Sequence, residues 1–317
     1  MALIDRPGAQ ALMPEDVTRE ILGNVADQSI VMRAARRLPN MTRAQRRMPV
    51  WATLPQAYFV NGDTGRKQTS SVSWDNVYIN AEEIAVIVPI PEAVLDDADY
   101  DIWGEARPAI EQAIGAKFDN AVIFGADAPA SWPECIVEQC DAKGHAVELG
   151  EVGDDLYDDL LAENGVLNLI EEDGFMPTGH IAALKMKAKM RGLRDADGQP
   201  IFKSTGDQSS GYSYTLDGEP LFFPRNGVMD PARALLISGE WSQCVYAIRQ
   251  DITYKVLTEA TLTDGAGNIT YALAEQDMVA LRVVFRAGWA LPNPINLVNT
   301  DEDTRFPFAY LEPVSAS

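Results

Sequence analysis

Residues that commonly carry chemistry are scarce in this chain of 317 residues. It has two histidines, His145 and His180, and three cysteines, Cys135, Cys140 and Cys244. Three cysteines over this length make no disulfide framework, so free thiols in a reducing compartment are expected. Cys135, Cys140 and His145 recur every five residues, whereas structural zinc needs two close pairs and four ligands; no metal site is expected. No run approaches the roughly 20 apolar residues of a membrane span. The start, MALIDRPGAQALMPED, places acids and prolines where a signal peptide needs a basic start and an apolar block, so synthesis and residence in the cytoplasm are expected.

Phosphate and calcium loops are missing too. Gly62-Asp63-Thr64-Gly65-Arg66-Lys67 lacks the GxxxxGK[ST] spacing, and no helix follows it. Asp195-x-Asp197-Gly198 begins like a calcium loop, but Gly206 stands at the twelfth position, where a bidentate glutamate is required. Nothing marks a nucleophile elbow near either histidine. The acid pairs Asp96/Asp97 and Asp158/Asp159 are adjacent, so they do not converge on one helix face; they read as solvated surface. The expectation is a protein with no catalytic residues, no cofactor and no metal. A metal-dependent soluble enzyme built on the acidic loops is the alternative of a different class.

Apolar residues and acids are abundant. Apolar residues make up 46% of the chain, and a chain of this length buries about three quarters of its unfolded surface. The net charge of −21 is unevenly spread: residues 1–50 carry 8 Lys+Arg against 5 Asp+Glu, and the remainder 18 against 42. Arg33, Arg36, Arg37, Arg43, Arg46 and Arg47 fall in fifteen residues with no acid. So acidic a body excludes a dedicated nucleic-acid reader. The basic stretch can touch phosphate without sequence preference. The plainer expectation pairs these arginines with acids of the same chain or of a neighbour.

Pro14-Glu15-Asp16 opens a helix continued at Val17, Ile21 and Val25 with an interruption at Gly23-Asn24, and a second helical piece is expected over Ser29–Leu38. From Val50 the period becomes two. Trp51–Leu54 and Ala57–Val60 read as one strand broken at Pro55, followed by turn residues over 61–67. The return strand places Val72, Trp74 and Tyr78 on one face and Ser71, Ser73 and Asp75 on the other, and Ile84, Val86, Val88 and Ile90 alternate again. A two-stranded hairpin is marginal alone, so its apolar face needs a partner. A helix from about Trp103 to Phe124 follows, with Ile110, Ile114, Phe118 and Val122 inward, Glu111, Lys117 and Asp119 outward, and Gly125 as its cap. Residues 150–290 read as mixed α/β: an acidic helical stretch from Val152 to Asp173, a strand at His180–Leu184, a basic helix over Lys185–Leu193, short strands at Leu221–Phe223 and Ala234–Ile237, a hairpin tip at Asp264–Asn268, and a strand through Val279–Phe285. The end, from Pro292, is expected to be irregular.

The order of these parts resembles the major capsid proteins of tailed bacteriophages with the HK97-like fold. Three stretches carry the resemblance: Ala85-Val86-Ile87-Val88-Pro89-Ile90-Pro91 with Glu92 to Asp97; Phe118-Asp119-Asn120-Ala121-Val122-Ile123-Phe124-Gly125 with Pro129, Trp132 and Pro133; and Glu275 to Val283 through Arg286-Ala287-Gly288-Trp289. The resemblance implies an α+β fold in four parts. These are an N-terminal arm (1–49), an E-loop hairpin (50–85), a P-domain with a spine helix of about 103–124 (86–134 and 276–317), and an A-domain (135–275). It implies assembly of the chain with itself into hexamers and pentamers of an icosahedral shell around double-stranded DNA, in the virion. An encapsulin-type compartment is the near alternative. Gly62, Asp63, Arg66, Lys67 and Trp74 become expected E-loop contacts with a neighbouring subunit, and the six arginines an inner basic face. The short segment before Trp51 implies a separate scaffolding protein; a portal and a decoration protein are further implied partners, and no membrane is. Some relatives join subunits by a lysine–asparagine bond. Lys67 lies at the loop tip and Asn296 and Asn299 near the end, but no motif places them beside a catalytic acid.

Overall fold

The computed structural model describes residues 29–60, 66–97, 102–153, 155–193, 204–207 and 211–314. The expected helix at 14–25, the turn at 194–198, and Gly62 and Asp63 lie outside them. The described residues begin with α1 (Ile30–Ala34), β1 (Arg36–Arg37), β2 (Gln45–Thr53), β3 (Ser73–Asn80) and β4 (Glu82–Pro91). Next come α2 (Glu92–Asp97), α3 (Ile102–Phe124), α4 (Ile136–Lys143), β5 (Ala146–Glu148), α5 (Leu156–Leu161), α6 (Val166–Glu172), β6 (Gly179–Ala182) and α7 (Met186–Gly192). The remaining strands are β7 (Ser204–Asp207), β8 (Gly211–Leu216), β9 (Glu219–Phe222), β10 (Leu236–Gly239), β11 (Val245–Leu257), β12 (Thr261–Thr263), β13 (Ile269–Ala272), β14 (Met278–Ala290) and β15 (Phe308–Glu312).

Two larger sheets organise the fold. One has the order β1-β11-β14-β4, the other β5-β15-β10-β6-β9-β8-β7. The 23 residues of α3 span about 35 Å and lay Ile110, Ile114, Phe118 and Val122 in one core with Ile248, Leu281, Val283 and Phe285 of the first sheet. Pro108 lies inside α3, where it removes one bond from the helical ladder. Gly125 ends the helix at φ 68°, the left-handed conformation glycine adopts freely. The same core takes Ile181, Ile237, Phe308 and Tyr310 from one face of the second sheet. The other face sends Ala182, Leu236, Ala309 and Leu311 against α5, α6 and α7.

Several expectations are corrected. The second helical piece ends at Ala34 rather than Leu38, because Arg36 and Arg37 pair in parallel with Val245 and Tyr246 of β11. The hairpin begins at Gln45 rather than Val50 and its first strand stops at Thr53, with 54–60 outside regular structure. Arg46 and Arg47 therefore stand in the hairpin, not in the arm. From Pro292 the chain is irregular only as far as Pro307: β15 then forms an inner strand of the second sheet, parallel to β5 and antiparallel to β10. Residues 276–317 thus divide between the two sheets. Within 135–275, β11 belongs to the first sheet, and the β12–β13 hairpin follows it.

Asp119 and Glu111 are buried rather than outward, at 0% and 3% exposure. Asp119 accepts from Ser29 Oγ at 2.5 Å, Ile30 N at 2.9 Å and Val31 N at 3.2 Å, and so holds the start of α1 against α3. Burial pushes its carboxyl up to about 6, against these hydrogen bonds. Asp159 is not solvated surface either: it is buried and accepts from Gly150 N and Val152 N.

Candidate subunit interface

The hairpin β2–β3 has two unlike faces because opposed residues share a face. Met48 opposes Val77 and Arg46 opposes Ile79 on one; Arg47 opposes Tyr78, Pro49 opposes Asn76, and Trp51 opposes Trp74 on the other. Ile79 is fully buried and packs with Met41, Val245 and Ala290, while Met48 and Val77 pack beside them. The root is further pinned at Asn80. Its carbonyl accepts from Trp132 Nε1 at 3.0 Å, and its amide donates to Ser131 O at 2.7 Å. Gly288 faces this root, and a Cβ there would stand 2.3 Å from the Asn80 carbonyl oxygen, so a side chain is excluded.

Among the described residues nothing closes over the second face. Trp51, Trp74 and Tyr78 are 45%, 61% and 47% exposed. The two indoles stack across the strands with ring centroids 5.1 Å apart. Beyond them Tyr58, Phe59 and Val60 are exposed as well. Of the expected contact residues, Trp74 stands on this face, and Arg66 and Lys67 are exposed beyond the paired strands. The alternation of Trp74 and Tyr78 is a clear sequence signal. Trp51 was legible only as part of a strand, since its partner depends on register.

The six arginines have different local surroundings. Arg33 stands over the Phe222 ring at 4.9 Å. Arg36 and Arg37 lie exposed on β1, and Arg37 donates to Asn40 Oδ1 at 3.2 Å. Arg46 donates to the carbonyls of Pro39 at 2.7 Å and Asn40 at 3.0 Å, closing the turn between β1 and β2. Arg43 and Arg47 are exposed. Among the described residues none of the six pairs with an acid of its own chain.

The groups weighed for catalysis and metal binding have structural partners. His180 Nδ1 and Ser238 Oγ are 2.8 Å apart, but both residues are fully buried between β6 and β10. Burial lowers the histidine to about 4, so it is neutral. His145 is buried between the Phe308 carbonyl, 2.9 Å from Nδ1, and Asp173, 3.1 Å from Nε2. Asp173 also accepts from Phe306 N and from the Asn299 amide, while Asn296 donates to its carbonyl. Burial pushes the Cys135 thiol up to about 11 and Cys244 to about 12, which keeps them protonated and unreactive. Among the described residues no three His, Cys, Asp or Glu side chains are grouped to hold a metal, and no helix is long and apolar enough to cross a membrane.

Comparison with known proteins agrees with this geometry. The Phage capsid family description matches residues 9–298. The major capsid protein of Staphylococcus phage 80alpha is 27% identical over 270 residues, covering 84% of this chain and 78% of that protein. A solved chain of Microbacterium phage Oxtober96 is 37% identical at a TM-score of 0.77, covering 90% of this chain and 91% of its own. One of Mycobacterium phage Adephagia is 32% identical at a TM-score of 0.76, over 100% of both chains. Matched in sequence and in fold over most of its length, the chain belongs to the phage capsid family, and its α+β architecture is the HK97-like capsid fold.

Proposed function

We propose that copies of this chain assemble as hexamers and pentamers into an icosahedral shell around packaged double-stranded DNA. Forming the capsid shell is the work of the family to which the chain belongs, and its role is structural. The observation that carries the finer reading is the aromatic face of the hairpin. Trp51, Trp74 and Tyr78 lie on a ribbon whose root is pinned and whose outward face the described residues leave open. Exposed aromatics of this kind are what subunit interfaces bury. Residues 45–80 then act as the E-loop reaching a neighbouring subunit, with Arg66 and Lys67 beyond the paired strands as further contacts. The layer around α3 and the first sheet acts as the P-domain, and the second sheet with its helices as the A-domain. Many modest contacts repeated by symmetry add up to a closed particle. A scaffolding protein, a portal and a decoration protein are the further partners of this reading, with assembly in the host cytoplasm before the chain resides in the virion.

The arginines supply the contact with DNA. Among the described residues they have no acidic partner in their own chain, and an otherwise acidic subunit repels the packaged phosphates. Arg46 serves the turn, so the test uses Arg36, Arg43 and Arg47. Particles assembled from the triple Gln variant are imaged by electron microscopy and heated, and released DNA is measured. Shells of normal size that release DNA at lower temperature are expected. Normal shells with unchanged retention assign these arginines to protein contacts, and a wild-type chain that forms no particle with its co-expressed partners refutes the shell.

A further inference from the structure

The second sheet carries opposite charges on the two sides of one helical layer. α5, α6 and α7 pack on the same face, with Leu160, Ile170, Met186 and Met190 in one core with Leu221 and Leu311. α6 lies over β15 and β10, toward the β5 edge. α7 lies toward the opposite edge, where Lys187 Nζ stands 4.2 Å from the centroid of the Tyr214 ring on β8. From Glu151 to Asp173 there are nine acids and no Lys or Arg, and from Lys185 to Arg191 four bases and no acid. Lys185 and Lys189 are exposed, as are Asp155, Glu163 and Glu171. Among the described residues none of these five is ion-paired within the chain. Each side also shows an exposed apolar residue, Tyr157 on α5 and Leu184 just ahead of α7.

We propose that this layer is a head-to-tail seam between copies of the chain, in which the Lys185–Arg191 side of one copy docks on the α5–α6 side of the next. Because the two charges lie on opposite sides of the layer, a two-fold contact made through either side alone sets like against like. A rotation that brings the basic side of one copy to the acidic side of its neighbour pairs opposite signs at every step, and such a heterologous contact closes into a ring. Complementary fields speed correct encounters and oppose wrong ones. Tyr157 and Leu184 supply apolar contact within the seam. The inference rests on the ring-shaped hexamers and pentamers proposed above and names the side chains that set their direction.

Charge reversal tests it in the full chain, assembled at low salt and followed by sedimentation and negative-stain imaging. Lys185→Glu with Lys189→Glu is expected to lower the assembled fraction about tenfold or more, because like charges then meet at each seam. Glu163→Lys with Glu171→Lys is expected to do the same. All four changes in one chain restore opposite signs and are expected to recover assembly. These are exposed positions, so circular dichroism and thermal melting of the monomers should match wild type. Wild-type shells alongside unaffected reversal variants overturn the seam alone, as does a four-fold variant that stays unassembled. A wild-type chain that never forms rings overturns the ring reading and the seam with it.

Discussion

The hairpin β2–β3 and the second sheet are both β-structure rich in aromatic side chains, yet they treat those side chains oppositely. In the sheet, Phe308 and Tyr310 are at most 3% exposed, enclosed by α4 and by neighbouring strands. In the hairpin, Trp51 and Trp74 stand in solvent on the face away from the body. A sheet covered on both sides completes its burial within one chain. A two-stranded ribbon has one face to pack and another to spare. The difference separates the part of the molecule that keeps a subunit folded from the part proposed to meet a neighbour.

The hardest way to break this comparison is in the sheet. Phe308 packs edge-on against Trp241, ring centroids 5.0 Å apart, and tilted against Phe306 at 6.1 Å. Phe308→Ala leaves a cavity there and is expected to cost about 3–5 kcal/mol, read as a lower denaturant midpoint of the isolated subunit. A loss below about 1 kcal/mol would show that β15 is not central to the core.

Asp119 comes next, since it is buried like the sheet but fastens a peripheral element. Asp119→Asn places an amide N–H₂ against donors that now face a carboxylate, so a loss of about 1–3 kcal/mol is expected. The sign with pH follows from burial. The folded carboxyl titrates at about 6 and the unfolded one near 3.8. The folded state therefore holds this proton more tightly, and stability from the group is greatest below 3.8 and declines as pH rises through about 6. Between pH 5 and pH 7 wild type should lose about 1 kcal/mol that the Asn variant does not lose, compared by urea unfolding at both values. An equal gap between the two proteins at both pH values would refute the assignment.

The smallest effect on folding is expected at the hairpin. Trp51→Ser with Trp74→Ser removes one cross-strand pair worth about 0.2–1 kcal/mol, so thermal unfolding of the subunit should barely move while assembly is lost. Subunits that still form normal particles would show that this face is not a contact.

Much of the fold was legible because several elements present one face to the core. The spacing of Ile110, Ile114, Phe118 and Val122 marked α3, and the alternation of Ile84, Val86 and Val88 marked β4. β15 escaped because it is buried on both faces, which erases the period of two. Phe308-Ala309-Tyr310-Leu311 reads as a short apolar run near a chain end. Asp119 escaped for a related reason: an acid on an amphipathic helix is assigned to solvent unless its partners are known, and its partners lie about 90 residues earlier. At the interface, the alternation of Trp74 and Tyr78 indicated an apolar face. Its pairing with Trp51 needed the register.

The sequence by itself determined the absence of an evident catalytic motif, the acidic body with its basic stretch, the long helix, and the order of parts that led to the family. These depend on local composition and on periods of two and three or four residues, which survive without long-range contacts. Only the tertiary structure decided which face of the hairpin is open, that β15 returns as an inner strand of the second sheet, and that opposite charges flank one helical layer. Each of these depends on residues far apart in the chain being brought together, and nothing local encodes that distance.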